Sequence, residues 1–391
     1  MGAIYLLEGV VKNYDWGGTT FLPQLLGSDN TTGKPFAEYW MGTHKQGMTH
    51  VLDQHGQRRS LREIGVALPY LLKVLDVREM LSIQVHPTRE AAIREFALEN
   101  KAGISLDAPH RNYKDQNHKP ELMVALGPFW LLQGFKKADQ LKTVFETTPE
   151  FAPLRNLWEN EGNQALYQFV MEMPQQEVNI MLGTLLDRLQ NETIHTSFEK
   201  DNPAFWALKA SLLYRNNDHI DRGIFSIYFF NLVSLGEGEA IFQDAGIPHA
   251  YLEGQNVEIM ANSDNVLRGG LTSKHIDVAA LLKHTDCKGI LPEILNVQHE
   301  NGKPAWFSTP VEDFRLGQLF MRKKEKYQLN ATGPLMLLSL KGAVELVVGG
   351  SLATLKQGQL AAYWDGEETL YLQSDQDTTL FLATSAIHSS E

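Results

Sequence analysis

Residues 136–215 keep a helical apolar period, whereas the text on both sides is broken into short strands, and this double change of period governs what the chain can fold into. Within the block, Val178, Met181, Leu182, Leu185, Leu186 and Leu189 fall at i, i+3, i+4, i+7, i+8 and i+11, an amphipathic helix preceded by Pro174. Asn202-Pro203 reads as the N-cap and first residue of another helix carrying Phe205, Leu208 and Leu212. Upstream the text is mixed, with strand-like runs at 81–86 and 122–126. It is interrupted by one helix from Arg89 to Leu98, with Thr88 as N-cap and Ala92, Ile93, Phe96 and Ala97 on one face. From Gly223 onward the text reads as β, starting with the aromatic and β-branched run 225–235 and continuing through 335–340, 344–348 and 370–373. Strands recurring every ~8–12 residues favour a sandwich or jelly roll. The expectation is an α+β protein. One β domain is assembled from 1–135 and 216–285, an all-helical insertion covers 136–215, and a second β domain covers 286–391.

Composition narrows the function. The 391 residues suit two to three domains at ~150 residues each. A hydrophobic fraction of 43% is enough for sizeable cores. The net charge of −12 gives no basic footprint for nucleic acid, so an anionic ligand would need locally gathered cations. Cys287 is the single cysteine, which excludes an intrachain disulfide and a multi-thiolate zinc site. The first residues lack the pattern of a secretion signal, and no run approaches the ~18 apolar residues of a membrane span. A cytoplasmic protein that is monomeric and binds neither membrane nor nucleic acid is expected. No GxGxxG or GxxxxGK[ST] follows a strand, so nucleotide-binding folds gain no support.

Three clusters carry polar chemistry. In the run 82–87, Ser82, Gln84 and His86 alternate and so share one face of a strand, either a wet surface or the lining of a site. In the run 113–121, nine largely polar residues lead straight into Leu122-Met123-Val124-Ala125-Leu126. A charged run is commonly a solvated loop, but Glu121 stands at the mouth of an apolar strand, where an unpaired carboxylate is costly and a metal or cation would relieve it. The third cluster is Gly246-Ile247-Pro248-His249, followed by Glu258 and by the run from Asn262 to Gly270. Two histidines and a glutamate from separate β segments are a ligand set suited to zinc.

These clusters resemble the signatures of the type I mannose-6-phosphate isomerases, zinc enzymes of cupin-like fold. The resembling segments are 13–17, 37–44, 81–87, 111–121 and 245–274, and the run Tyr113-x-Asp115-x-Asn117-His118-Lys119-Pro120-Glu121 is the most specific. Beyond about residue 290 the resemblance is architectural, a second cupin-like domain. Lys45, Glu237 and Ser273 replace prolines common in the family, all beside the motifs. The resemblance implies one zinc per chain held by Gln84, His86, Glu121 and His249, and substrate phosphate bound by Lys73, Ser82 and Lys274. It places a catalytic arginine at Arg268, and Lys119, Glu258, His118 and Asp264 at positions for substrate handling or proton transfer.

The implied reaction interconverts mannose 6-phosphate and fructose 6-phosphate by moving a proton between C1 and C2 through a cis-enediol. It needs an electrophile for the developing oxyanion and a positioned base. Lys119, Glu258 and His118 all qualify as base on sequence. Lys73, within Leu71-Leu72-Lys73-Val74-Leu75, would on its own read as a snorkelling surface lysine. Two other functions fit a cupin scaffold. A non-catalytic sugar-phosphate-binding or regulatory module has no need of Arg268 and Lys119. An iron oxygenase would use two histidines and one carboxylate, without Gln84 as a fourth ligand.

Overall fold

The computed structural model describes residues 3–52, 57–214, 219–300, 303–330, 334–364 and 369–385; the expected domain edge at 215/216 lies outside these residues. Short strands dominate, as the turn-punctuated text requires, and they stack in antiparallel sheets. One sheet runs in the order Ile294–Leu295, Ala240–Gln243, Glu121–Ala125, His249–Ala261, Tyr70–Val77, Glu38–Gly42 and Val10–Lys12. Facing it, Phe230–Leu235, Phe129–Phe135, the start of His249–Ala261, Ile83–Val85 and Leu267–Gly270 pair side by side. The long strand His249–Ala261 therefore belongs to both sheets. Residues 249–253 pair with one and residues 254–261 with the other. The corner lies at Gly254, whose φ of +132° and closeness to Phe129 and Pro128 exclude a side chain; a Cβ there would sit 2.6 Å from the Phe129 ring.

The strand Tyr70–Val77 is buried along its whole length. Tyr70, Leu72 and Val74 pack outward into a core shared with Leu316, Leu338 and Phe381 of the C-terminal sheet. Leu75 and Val77 face inward with Met123, Phe129 and Ile241, and Lys73 lies on that inward face. The C-terminal sheet orders Ala305–Trp306, Arg315–Met321, Thr378–Thr384, Leu335–Lys341, Leu360–Trp364, Ala3–Glu8, His50–Leu52 and Arg58–Ser60. A smaller sheet of Lys326–Leu329, Leu370–Gln373, Ala343–Val348 and Ser351–Lys356 closes it over a third apolar layer. Two jelly-roll-like β units of the cupin kind result. The strands expected at 335–340, 344–348 and 370–373 are present.

The helical block comprises Ala138–Thr147, Ala152–Glu172, Gln175–Glu192, Pro203–Leu213 and Gly223–Phe229, packed on the outer face of the sheet that holds Ile83, Val85 and Leu132. Val178, Leu182, Leu185, Leu186 and Leu189 are buried as the periodicity requires. Asn202 accepts from the Ala204 N–H, as an N-cap should. Three local expectations change. Residues 225–229 are helical rather than β, because Phe225, Tyr228 and Phe229 gain their burial among the helices, and packing outweighs β propensity. In Pro203–Leu213 the buried face is Ala204, Trp206, Ala207 and Ala210, and Leu212 is exposed. The early helix runs Arg89–Lys101 with Thr88 capping it. Glu95, held by Arg94 and Lys283, is buried there, whereas Ile93 is exposed. Among the described residues no helix is long and apolar enough to cross a membrane.

Asp221 ties this block to the site. Its buried carboxylate accepts from the N–H groups of Gly223 (2.7 Å), Leu271 (2.8 Å) and Thr272 (3.1 Å), and so holds Leu271 at a φ of +53°. Asp221→Ala leaves these donors without their acceptor. Urea unfolding is expected to show a loss of roughly 2–4 kcal/mol.

Candidate metal centre and active-site cavity

Register fixes the site. His249 pairs with Gln133 on one side and with Gln84 on the other, and Gln84 pairs in turn with Arg268. Residues directly opposite in a sheet share a face, so these four side chains form one row, and His86 lies two residues along from Gln84 on the same face. Glu121, at the start of the strand Glu121–Ala125, meets the row from the opposite sheet. Its carboxylate oxygens lie 3.5 Å from His86 Nε2 and 3.4 Å from His249 Nε2.

The tautomers follow from the partners. His86 Nδ1 contacts the Asn265 carbonyl and His249 Nδ1 the Ile247 carbonyl, each at 2.9 Å. A carbonyl only accepts, so Nδ1 carries the proton in both rings and each Nε2 is the atom turned toward the carboxylate. His86 Nε2 is buried and has no hydrogen-bond partner among the described residues. Burial, then the nearby Lys119 ammonium, push the His86 pKa down to about 4, which keeps the ring neutral. Burial of Glu121 works the other way, but the Lys119 ammonium at 2.8 Å outweighs it and holds the carboxyl well below the usual range. Two neutral imidazole nitrogens and a carboxylate, all within 4.8 Å of one another, are a donor set that a divalent cation such as zinc fits.

The loop before Glu121 is built on a single asparagine. Asn265 accepts from Lys114 N–H (2.7 Å) and donates to the carbonyls of Asp115 and Asn117, while Asp115 accepts from Asp264 N–H (2.7 Å) and from Ser263 Oγ. The polar runs 113–121 and 262–265 thus brace each other. The sequence alone assigns Asn265 and Asp115 no role, although their place inside two dense polar runs is the available signal.

A cavity of about 380 Å³ adjoins the centre through Gln84 and Lys119, and Lys73, Ser82, Asp264, Arg268 and Lys274 also line it, whereas His86, Glu121 and His249 lie behind the lining. Lys73, Lys119, Arg268 and Lys274 are the local cations that an acidic chain needs for an anionic ligand. Their states differ. Lys73 donates to Glu258 at 2.8 Å, with Glu38 at 3.9 Å and the Trp40 ring beneath it. Burial opposes its charge, but Glu258 and Glu38 prevail and raise its pKa. Glu258 is buried behind it, raised by desolvation, and also accepts from Tyr251 Oη at 2.8 Å. Arg268 and Lys274 have no carboxylate within ion-pair distance among the described residues, and burial lowers both pKa values, Lys274 also through Arg268. Asp264 is held instead by His44 at 3.2 Å. His118 does not line the cavity. Its Nε2 lies 2.9 Å from Asp313 of the C-terminal region, which also accepts from Arg89 at 2.9 Å. Glu38, Trp40 and His44, inside a motif that carried no assigned role, also line the cavity.

A cupin-type β sandwich with a buried His-Glu-His centre beneath a cation-lined cavity defines a class of metal-dependent enzymes that act on small anionic substrates. Comparison with known proteins gives the family. Residues 4–138 match the model of the phosphomannose isomerase type I catalytic domain. The chain is 34% identical to the mannose-6-phosphate isomerase of Escherichia coli K12, over 90% of this chain and 92% of that protein. It is 32% identical to the human mannose-6-phosphate isomerase, over 71% and 72%. The crystal structure of a zinc-bound mannose 6-phosphate isomerase superposes with a TM-score of 0.84 at 30% identity, covering 98% of this chain and 99% of that one. A Salmonella typhimurium mannose 6-phosphate isomerase described as bound to substrate and zinc superposes equally well, with a TM-score of 0.84 at 30% identity over 98% and 99%. The chain belongs to the type I mannose-6-phosphate isomerase family.

The Asp313 contact yields a pH test. Burial works to raise its pKa, but His118 and Arg89 outweigh that and hold it below the ordinary value. A depressed folded pKa means stabilisation that is complete above the unfolded value near ~3.9 and lost as the pH falls through the folded value. Asp313→Asn is expected to unfold about 1–2 kcal/mol more easily at pH 7, discounted for the half-exposed Arg89, with the gap to wild type closing below pH ~3. Thermal unfolding of both proteins across that range checks it.

Proposed function

We propose that the chain is a zinc-dependent isomerase that interconverts mannose 6-phosphate and fructose 6-phosphate through a cis-enediol. The observation that carries this reading is the convergence of His86, Glu121 and His249 beneath a cavity lined by four cationic side chains. His86, Glu121 and His249 hold the metal, with Gln84 beside them in the row, and bound zinc supplies positive charge to polarise the sugar oxygens. The same reading divides the chain into a catalytic cupin domain (1–135 and 216–285), a helical insertion (136–215) and a C-terminal cupin domain (286–391). The strand Ala3–Glu8 is joined to the last of these by pairing with Leu360–Trp364.

Within the cavity the roles separate by which charges are already committed. Lys274 and Ser82 take the phosphate, since Lys274 has no competing carboxylate. Lys73, expected beside them, lines the same cavity with its charge paired to Glu258. Arg268, opposite Gln84 in register and without a carboxylate partner, stabilises the oxyanion that develops on the enediol. Of the candidate bases, Lys119 alone lines the cavity. Glu258 has both oxygens engaged and His118 faces Asp313, so Lys119, once it has given up the proton it shares with Glu121, moves the proton between C1 and C2, while Asp264 with His44 borders the sugar.

Formation of fructose 6-phosphate from mannose 6-phosphate, followed in a coupled assay, is expected with zinc and lost with a chelator. Zinc-independent binding of the sugar phosphate without turnover would favour the non-catalytic module instead. Arg268→Ala is expected to keep its zinc and melting temperature while kcat falls about 10²–10³-fold, because a charge used only in the transition state acts on kcat. Lys274→Met should raise KM by roughly tenfold with little change in kcat, the exposed position limiting the effect. Wild-type KM in that variant would place the phosphate elsewhere.

A further inference from the structure

Two glutamines stand directly behind the centre, outside the cavity lining. Gln133 pairs in register with His249, and Gln243 pairs in register with Glu121, so each shares a face with one candidate ligand on its own sheet. Both side chains are buried, Gln243 completely and Gln133 at 4% exposure. They meet across the gap between the sheets. Gln133 Nε2 donates to the Phe242 carbonyl at 2.8 Å and to Gln243 Oε1 at 2.9 Å.

This contact fixes which way each amide faces. The Phe242 carbonyl only accepts, so Gln133 must present its NH₂ group there, and the same NH₂ group then requires the oxygen of Gln243. Gln243 Nε2 is thereby turned away from Gln133, and the residue opposite Gln243 across the sheet is Glu121. Gln243 Nε2 is buried and has no hydrogen-bond partner among the described residues. A buried amide donor left unmade is costly, by about 1–3 kcal/mol. Glu121 lies opposite, and its carboxylate has lone pairs beyond the one that accepts from Lys119.

We infer that Gln133 and Gln243 form an outer support of the metal centre, in which Gln243 Nε2 donates to the Glu121 carboxylate, directly or through one trapped water, once the metal is held. Gln133 acts one step further out by setting the orientation of that amide. Both are positioning residues that slow metal loss by fixing the carboxylate rotamer. The inference rests on Glu121 and His249 being ligands.

The test follows zinc transfer from the loaded full-length protein to an excess of a chromogenic chelator. Gln243→Met and Gln133→Met keep the volume and remove the donor or its orienting partner. Outer supports of metal ligands are worth about 10–100-fold in affinity, so both variants are expected to release zinc at least about tenfold faster. The melting temperature gained on adding zinc to each metal-free variant should shrink correspondingly, whatever the metal-free baseline. Asn256→Leu removes another buried, unpartnered amide, one that lies opposite Leu75 and Ala125 instead of a ligand, and is expected to release zinc at the wild-type rate. Wild-type release from Gln243→Met would overturn the inference. Equal acceleration in Asn256→Leu would overturn it too, by showing general loosening. Glu121→Ala separates the two levels of the argument. Full zinc content in that variant would remove the ligand set itself, whereas zinc loss there with normal release from Gln243→Met would remove only the outer support.

Discussion

Everything at the site depends on one strand changing sheets. His249 and Glu258 lie in the same strand, yet they serve opposite walls, because the chain turns at Gly254 where only a glycine fits between Phe129 and Pro128. The turn lets the first residues of the strand align with Gln84 and Gln133 and the later ones with Lys73 and Glu121's own strand. A straight strand would leave the imidazole and the carboxylate on separate surfaces. The metal centre is therefore a property of sheet geometry, and the ligands are simply the residues that the corner brings face to face.

Charge is distributed on the same framework with little waste. Glu121 and Glu258 are both deeply buried, and each has a lysine within 2.8 Å, Lys119 for the first and Lys73 for the second. Buried carboxylates of this kind are tolerable only when paired and fully hydrogen-bonded. Arg268 and Lys274, which have no carboxylate within ion-pair distance among the described residues, line the cavity, where water or an anion can answer them.

Much of this is legible in the chain. The helical block announces itself through Leu182, Leu185 and Leu189, and the Asn202-Pro203 start through its cap, because local period and capping chemistry act within a few residues. The candidate ligand cluster is legible as a pattern, since a carboxylate such as Glu121 at the mouth of an apolar strand is costly without a cation, even though a charged run is commonly a solvated loop. What sequence does not show is the third dimension. The run at 225–229 has β propensity but finds its burial among helices, and Lys73 reads as a surface residue because a strand buried on both faces hides its alternation. His118 sits within the most specific motif and yet faces Asp313, 195 positions away, a contact that no local rule encodes. The glutamine pair is equally hidden, since its meaning lies in register.

The strand Ala3–Glu8 is hydrogen-bonded to Leu360–Trp364, in the sheet that also contains Thr378–Thr384. An early strand must therefore wait on the ribosome for a very late one, and while it waits its apolar edge is open. Because the strand Tyr70–Val77 shares its outward core with that same sheet, the outer face of the sheet that carries Lys73 is covered only once residues 360–384 are in place. The pairing of Ala3–Glu8 with Leu360–Trp364 is accordingly a contact of very long sequence separation, which costs loop-closure entropy before it is repaid.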